Sequence, residues 1–338
     1  MTDVLVVGAG IVGASIGYHA ARLGATVTIV DRTLPGAGAT GESFAWIGAT
    51  ERAPGPGAAL HAAATREYRR LAAELPAVHV RWAGSLQFGG RTPLGDLEPG
   101  RHRVDAGQIA ALEPNLRTPP AAAVHVPGDG AVDPVATTDA MVAAARERGA
   151  RLVPGTAVTG LRVVRGRVAG VETTSGFLEG GAVVLANGAD VAVLCPSLGV
   201  ARSPAILVRL AGPPDLVRTI VAIPDLDVRA TGDGGLVAAV EYTGETSAAE
   251  LARPRNAPAP DHRAVPRRDD VRVLGARVGM RPMPADGNPV IGPLPAVHGG
   301  YVAATHSGVT LAPAAGRLVA EELVHGVEAP ELVSCRPR

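Results

Sequence analysis

The chain has 338 residues, 46% of them hydrophobic, and its 32 basic and 32 acidic side chains give a formal net charge of zero. This length exceeds what one hydrophobic core usually serves, so we expect two domains. The zero net charge, together with the lack of a long block of basic residues, predicts neither a nucleic-acid partner nor binding to an anionic membrane. All 32 basic residues are arginine, which excludes a lysine Schiff base and a P-loop lysine.

The first 31 residues have the pattern of a strand, a helix and a second strand. Residues 3–8 form a short apolar run typical of a buried parallel strand. The segment from Ile11 to about Leu23 is rich in alanine and aliphatic residues, and it predicts a helix that Gly24 ends. Residues 25–31 predict the second strand, which completes a βαβ unit.

A glycine motif joins the first strand to this helix, and it consists of Gly8, Ala9, Gly10, Ile11, Val12 and Gly13. The first glycine permits a tight turn, the second lets the backbone approach a pyrophosphate, and the third lets the helix pack on the strand. The N–H groups of the helix N-terminus attract phosphate. Asp31, after the second strand, is placed to accept hydrogen bonds from ribose hydroxyls. The motif predicts a dinucleotide site but does not separate FAD from NAD.

The remaining elements follow from local signals. Residues 33–50 predict a glycine-rich loop near a ligand, residues 57–75 a helix, and residues 80–130 short strands with a capping box at Asp105 and Gln108. Asp133 and Pro134 start a helix that runs to Arg148. Strands are predicted at 151–154, 158–164, 167–173 and 182–186, and alternating strands and loops over 200–279, with an irregular loop at 256–266. The last helix spans about 309–325.

Cysteine usage and hydropathy give the expected location. The two cysteines, Cys195 and Cys335, match no metal or redox spacing, so we expect no metal site and a reducing cytoplasm. The first apolar run is too short for a signal peptide, and no stretch approaches the roughly 18 apolar residues of a membrane span.

Five segments together resemble the D-amino-acid oxidase / glycine oxidase / sarcosine oxidase family of FAD-dependent oxidoreductases. They are GATGESFAWIGA from Gly38, GAVDPVATTDAMVAAARERGARLVPGTAVTGL from Gly130, ANGAD from Ala186, GMRPMPADGNPVIGPLP from Gly279 and GYVAATHSGVTLAPAAGRLVAEEL from Gly300. They occur in the family's order and cover most of the chain, whereas residues 76–130 and 201–279 match loosely. The resemblance implies an α/β fold with a discontinuous, Rossmann-like FAD-binding domain at 1–75, 131–200 and 280–338. It also implies a second, mostly antiparallel β-sheet substrate domain at 76–130 and 201–279.

The resemblance implies a set of cofactor residues. In the family, the last helix directs its N-terminus at the flavin pyrimidine ring, where reduction leaves negative charge. No cysteine lies in 201–279, where some members attach flavin, so non-covalent FAD is expected. The matching residues are Gly8, Ala9, Gly10, Ile11, Val12, Gly13, Asp31, Arg32, Thr40, Gly41, Glu42, Ser43, Val158, Ala186, Asn187, Gly188, His306, Ser307, Gly308, Val309 and Thr310.

The same resemblance implies oxidation of a small amine or amino acid by hydride transfer to flavin N5, giving an imine that hydrolyses. Arg281 matches the arginine that binds the substrate carboxylate, although it could instead pair with an acid such as Asp286. His306 is a candidate for catalysis or a structural histidine. The substrate-pocket candidates besides Arg281 are Phe44, Trp46 and Tyr242, each of which could instead pack in the core.

Two departures from the family leave alternatives open. Thr305 precedes His306 where the family often has Ala-Gly-His, and the lysine that speeds the reaction with oxygen in some members is missing. Oxidase activity, with oxygen as the electron acceptor, and dehydrogenase activity, with an unknown acceptor, therefore both remain as alternatives. The alternatives are an NAD(P)H-dependent flavin monooxygenase, an NAD-dependent dehydrogenase without flavin, and a non-catalytic flavoprotein subunit of a larger complex. The sequence does not predict an oligomeric state.

Overall fold

The computed structural model describes residues 2–49, 55–213, 215–245 and 271–337. The irregular loop expected at 256–266 lies outside the described residues. The strands are Asp3–Val7 (β1), Thr26–Val30 (β2), Trp46–Ile47 (β3), Val80–Arg81 (β4), Ser85–Gln87 (β5), His102–Asp105 (β6), Ala122–Val126 (β7), Gly130–Val132 (β8), Arg151–Val153 (β9), Val158–Val164 (β10), Arg167–Thr173 (β11), Gly176–Glu179 (β12), Ala182–Leu185 (β13), Val200–Ala211 (β14), Ile220–Ile223 (β15), Leu226–Ala230 (β16), Leu236–Val240 (β17), Arg272–Pro284 (β18), Val290–Pro293 (β19) and Gly300–Ala304 (β20).

The α-helices are Ile11–Arg22 (α1), Ala58–Glu74 (α2), Ala106–Leu112 (α3), Pro134–Glu147 (α4), Val191–Leu194 (α5) and Gly308–His325 (α6). Short 3₁₀ turns occupy Gly188–Asp190, Pro196–Leu198 and Pro330–Cys335. None of the helices in the described ranges is both long and apolar enough to cross a bilayer.

A six-stranded sheet in the order β19-β20-β13-β1-β2-β9 carries the N-terminal βαβ unit. Strands β20, β13, β1, β2 and β9 run parallel, and β19 pairs antiparallel at the edge. Strands β2 and β9 extend the sheet on one side of β1. Strand β13, which comes later in the chain, pairs with β1 on its other side. This change of direction opens a crevice at the carboxyl ends of the central strands, where α/β proteins bind ligands.

The helices pack on this sheet through very close approaches. Helix α1 contacts both α4 and α6, and α2 contacts α6. A Cβ added to Gly316 of α6 would lie 2.1 Å from Ser15 Oγ of α1, so the crossing requires a residue without a side chain. The core formed here is rich in alanine, valine and isoleucine, which suits closely spaced helices.

An eight-stranded sheet in the order β18-β14-β17-β16-β15-β5-β7-β6 forms the second half of the molecule. Its neighbouring strands pair antiparallel except for β15 and β5, so the expected mostly antiparallel sheet is confirmed. Strand β18 crosses the boundary expected at 279/280. The domain boundaries themselves stay a prediction.

The two faces of the eight-stranded sheet differ because side chains alternate along each strand. Val208, Val228 and Ala238 point to one face, where they join an apolar core under α3. Their neighbours Asp227 and Ala239 are paired directly across β16 and β17 and point to the other face, which is left free for a ligand.

Local signals placed most elements correctly. Asp105 and Gln108 form the predicted capping box at the start of α3, and Asp133 caps α4 ahead of Pro134. Helix α1 ends at Arg22 with Leu23 as its C-cap, one residue earlier than expected, and Gly24 follows with φ of +86°. Strand β12 was not predicted from the sequence; it completes a small antiparallel sheet with β10 and β11.

Candidate active site

A cavity of about 820 Å³ lies between the carboxyl ends of the parallel strands and the free face of the eight-stranded sheet. This is within the size range of ligand pockets in proteins. The predicted cofactor residues in its wall are Gly8, Gly10, Ile11, Val12, Asp31, Arg32, Thr40, Glu42, Ser43, Val158, Ala186, Asn187, Gly188, His306, Ser307, Gly308, Val309 and Thr310. Three of the predicted substrate residues, Phe44, Trp46 and Arg281, also line it.

Four predicted residues do not belong to this wall. Ala9 and Gly13 are buried, and Gly41 is half-buried beneath the loop, where an added Cβ would lie 2.8 Å from Gly36 O. Tyr242 follows the end of β17, beyond Ala239, which does line the cavity. The expectation that Tyr242 faces the pocket is therefore not met by the described residues, because the strand ends before it.

The glycine turn has the geometry that its sequence predicts. Gly8 has a φ of +104°, and a Cβ there would lie 2.5 Å from Ala186 O. A Cβ at Gly13 would lie 1.9 Å from Gly8 O, so only glycine lets α1 start this close to β1. A Cβ at Gly10 would lie 3.2 Å from the Thr40 hydroxyl. The turn thus brings bare backbone to the cavity.

The start of α1 and Asp31 supply the polar groups at this end. Gly10 caps α1 without a side-chain hydrogen bond, and the Ile11 N–H donates to Thr40 Oγ1 at 3.1 Å. Asp31 Oδ2 accepts from the Ala9 N–H at 2.7 Å, and Oδ1 accepts from the Thr33 N–H at 2.8 Å. Asp31 therefore braces the turn as well as facing the cavity, and its oxygens keep capacity for further donors.

An ion-pair cluster lies at the rim of the same end. Arg32 NH1 is 2.6 Å from Asp190 Oδ2, and Arg202 pairs with the other oxygen of Asp190. Arg202 belongs to β14, so Asp190 links the parallel sheet to the antiparallel one. All three side chains line the cavity.

A second helix begins at the other side of the cavity. The side chain of the N-cap residue Ser307 does not accept from the first turn of α6, so it leaves the N–H groups of that turn to a ligand. A Cβ added to Gly308 would lie 3.5 Å from Val12 Cγ2 of α1, so the two helix starts are neighbours. The buried Tyr68 hydroxyl donates to Val309 O at 2.6 Å and fixes the first turn of α6.

The loop between these helix starts is held from several directions. Phe44 and Trp46 stand edge to face with ring centroids 6.4 Å apart, and Ala45 between them has a φ of +57°. Thr310 Oγ1 donates to Trp46 O at 2.9 Å, and Trp46 Nε1 donates to Asp129 Oδ2 at 2.9 Å. A non-glycine residue at positive φ is strained and persists where its surroundings impose it.

Arg281 lies on β18 and faces the cavity. Its NH2 donates to Ser203 Oγ at 2.9 Å and to Pro204 O at 3.3 Å, and its Nε donates to Ser203 O at 3.4 Å. Its NH1 is 3.4 Å from His306 Nε2. The ion pairs formed within the described residues do not include Arg281. Burial lowers the pKa of its guanidinium, which nevertheless stays charged at neutral pH.

Several polar residues of the wall were not identified from the sequence. Gln87 and Asp227 share the free face of the eight-stranded sheet, and Asp227 pairs with Arg91 at 3.2 Å. Asp129 is 2% exposed and accepts from Ser85, Trp46 and Ala49, and burial raises its pKa. Charged residues at alternating positions of an otherwise apolar strand, as in Leu226–Ala230, are the signal that could have identified Asp227.

Comparison with known proteins places these features in one group. Residues 3–322 match the family described as FAD dependent oxidoreductase (DAO). The chain is 28% identical over 365 residues to a glycine oxidase of Geobacillus kaustophilus, covering 94% of this chain and 92% of that protein. It is 31% identical over 250 residues to a D-amino acid dehydrogenase of Cereibacter sphaeroides, covering 68% of this chain and 56% of that protein.

The fold shows the same relationship. The crystal structure of glycine oxidase from Geobacillus kaustophilus superposes with a TM-score of 0.86 at 25% sequence identity, covering 99% of this chain and 98% of that chain. Both sheets and both helix starts described above are thus part of an architecture found in a solved structure.

Proposed function

This chain belongs to the FAD dependent oxidoreductase (DAO) family, and from that premise we propose that it oxidises the carbon–nitrogen bond of a small amino acid or amine. The observation that supports the proposal most is the position of Arg281. Its guanidinium faces the cavity near the start of α6, and it pairs with no carboxylate among the described residues. A half-buried arginine without a carboxylate partner among the described residues is suited to an anionic substrate group.

The residues of the cavity fit FAD. Two helix starts whose N-cap residues make no side-chain cap hydrogen bond meet at one cavity, and the wall at the first of them is a glycine turn with no room for side chains. The start of α1 would hold the pyrophosphate, Asp31 the ribose, and the start of α6 the pyrimidine end of the flavin. We expect the binding to be non-covalent. When bound, FAD supplies the acceptor for a hydride at flavin N5, and the resulting imine hydrolyses in water.

Arg281 would bind the substrate carboxylate. Ser203, Pro204 and His306 occupy four of its five N–H donors, which leaves one NH1 donor directed at a carboxylate in addition to the charge of the guanidinium. Fixing the carboxylate fixes the position of the carbon that loses its hydrogen. Since that hydrogen leaves as hydride from a neutral amine, the proposal requires no protein base.

His306 would position Arg281. A guanidinium has donors only, so in the 3.4 Å contact a neutral His306 with its proton on Nδ1 would accept through Nε2. In this state Nε2 has no proton to give to a substrate. The catalytic candidate of the sequence thus becomes a positioning residue in this proposal.

The names of the similar proteins, a glycine oxidase and a D-amino acid dehydrogenase, support a small amino acid as the substrate and leave the electron acceptor open. Small wall residues on the sheet, such as Ala205 and Ala239, are consistent with close approach of a ligand to this face. Family membership argues against the alternative of a flavin-free NAD-dependent dehydrogenase.

The test is anaerobic mixing of the flavin-loaded protein with glycine, sarcosine, proline and a panel of D-amino acids. We expect at least one of them to bleach the visible absorbance of the flavin. If none does, and NADPH alone bleaches it rapidly, the flavin monooxygenase alternative is favoured. If nothing bleaches it until a co-purifying partner chain is added, the non-catalytic subunit is favoured. Admission of oxygen to the bleached enzyme then separates an oxidase from a dehydrogenase.

A further inference from the structure

The free face of the eight-stranded sheet carries a buried arginine that the proposed reaction does not use. Arg229 lies on β16, two residues after Asp227, and is 6% exposed. Its Nε donates to Phe44 O at 2.6 Å, and its NH2 donates to Val132 O at 3.2 Å. Its NH1 donates to Ala230 O at 3.1 Å. One side chain therefore joins β16, β8 and the loop that lines the cavity.

The segment Phe44–Trp46, which we call the flavin-facing segment, has each of its carbonyl groups occupied by a different element. Arg229 donates a hydrogen bond to Phe44 O, the Val132 N–H donates to Ala45 O at 3.3 Å, and Thr310 Oγ1 donates to Trp46 O at 2.9 Å. The residue between the two aromatic rings is the strained one, with φ of +57°. The hydrogen bonds that fix Phe44 and Trp46 on either side of Ala45 maintain the positive φ of Ala45.

The charge of Arg229 is compensated only at a distance. Its hydrogen-bond acceptors in the described chain are neutral carbonyls, and burial lowers its pKa to about 10 while Asp133 raises it. The guanidinium carbon also lies 5.3 Å from the centroid of the Phe44 ring, in a cation–π contact. A positive charge thus lies directly behind an aromatic side chain that lines the cavity, in surroundings where water screens it poorly.

We propose that Arg229 is a positioning residue for the flavin: through Phe44 it fixes the flavin-facing segment, and its charge favours the reduced state of the bound cofactor. The inference rests on FAD occupying this cavity, as the proposed function also requires, but it does not depend on the substrate. Removing the charge while keeping a polar side chain lowers the midpoint potential of the flavin. Removing the guanidinium, which donates to Phe44 O and Val132 O, loosens the flavin-facing segment and weakens FAD binding.

The test compares Arg229→Gln, Arg229→Lys and the control Arg162→Gln in the flavin-loaded protein. The guanidinium carbon of Arg162 also lies over a phenylalanine ring, that of Phe177, at 3.9 Å, but neither of these two residues lines the cavity. The readouts are the FAD dissociation constant, the visible circular dichroism of bound flavin, and its midpoint potential against reference dyes. R229Q should weaken FAD binding roughly tenfold to a hundredfold, because it removes a charged hydrogen bond. It should also lower the midpoint potential of the flavin. R229K should weaken binding but keep the wild-type potential, and R162Q should change neither.

The double variant Arg229→Gln with Ala45→Gly separates geometry from charge. Glycine adopts positive φ without strain, so this variant should regain the circular dichroism and part of the affinity but not the potential. If R229Q retains the affinity, spectrum and potential of the wild type and only melts earlier, Arg229 is structural and the proposal is overturned. If R229K lowers the potential as far as R229Q, the role of the charge is overturned. Should R229Q not fold, R229K tests the positioning role, and wild-type FAD affinity and circular dichroism in R229K would overturn the proposal. None of these readouts uses a substrate, so a wrong substrate class leaves them unaffected.

Discussion

Arg281 and His306, 25 residues apart in the sequence, approach to 3.4 Å between NH1 and Nε2 at the cavity wall. Strand β18 carries the arginine, and the turn between β20 and α6 carries the histidine. The contact makes the histidine an acceptor and directs the guanidinium towards the start of α6. The proposed substrate site is therefore built jointly by the two halves of the molecule.

Arg281→Met should abolish recognition of the substrate carboxylate. The loss of a charge-assisted contact of about 1.5–3 kcal/mol corresponds to a decrease in kcat/KM of roughly 10- to 10²-fold. Steady-state kinetics with the best substrate of the panel measure it. Arg277→Met on the same strand is the control, because Arg277 is exposed and reaches Glu42 rather than the region of His306. Equal losses in both variants, or flavin lost from R281M, would contradict the assigned role.

His306→Gln and His306→Leu should differ. The Gln side chain keeps an acceptor for Arg281, whereas Leu keeps none. A single long hydrogen bond of about 1 kcal/mol predicts a KM raised roughly fivefold in H306L and little change in H306Q, with kcat similar in both. The kinetic constants and their pH profiles are the measurement. A large fall in kcat in H306Q as well would show that the imidazole itself takes part in the chemistry.

Gly13→Ala should weaken FAD binding, and Gly38→Ala should not. The added methyl at Gly13 would overlap Gly8 O at 1.9 Å and displace the glycine turn, while a Cβ at Gly38 meets nothing within 4 Å although it also lines the cavity. Overpacking of about 1–3 kcal/mol predicts a dissociation constant raised roughly five- to hundredfold. Quenching of flavin fluorescence on titration of the flavin-free protein gives the constant. Indistinguishable values for the two variants would mean that the turn tolerates displacement.

His19 should make the folded state sensitive to mild acid. It is 1% exposed on α1, near Arg22, Arg70 and Arg317, and burial first and these arginines second lower its pKa to about 3. Because the unfolded chain has the higher pKa, near 6.5, it binds more protons between pH 6.5 and 3. The stabilisation is complete above pH 6.5 and falls by about 1.4 kcal/mol per pH unit below it.

His19→Gln removes this titration and keeps an acceptor for Arg70, which lies 3.4 Å from Nε2. Urea unfolding with saturating FAD at pH 7 and pH 5 should show a smaller loss of unfolding free energy for H19Q than for the wild type. Equal losses would mean that His19 is protonated without cost in the folded protein.

The features that the sequence predicted depend on residues close together in the chain. The capping box of Asp105 and Gln108 and the Asp133 cap of α4 involve contacts across two or three positions. Gly13 is required by Gly8 O, five residues earlier, and Gly8 by its own positive φ, although a Cβ there would also meet the distant Ala186 O. Such contacts are specified by the types of neighbouring residues, so a pattern suffices to find them.

The features that it missed depend on distant partners. Arg229 reaches Phe44 over 185 positions, and Asp129 reaches Trp46 over 83. An arginine or aspartate in an unremarkable strand or turn gives no sign of which backbone group it will meet. Tyr242 is the opposite case: an aromatic residue in the expected stretch was assigned to the pocket, and it is not among the described residues that line the cavity.

By itself, the sequence determined the glycine turn and the positions of the main helices, because steric limits and hydrogen bonding within a few residues fix these; the joint use of the opening βαβ unit and the closing helix was implied only by the resemblance to a known family. Only the tertiary structure decided that the starts of α1 and α6 meet at Val12 and Gly308, that Arg281 faces His306, and that Arg229 lies behind Phe44. Those arrangements follow from the packing of two sheets across a cavity, where the relevant distances run through space and not along the chain.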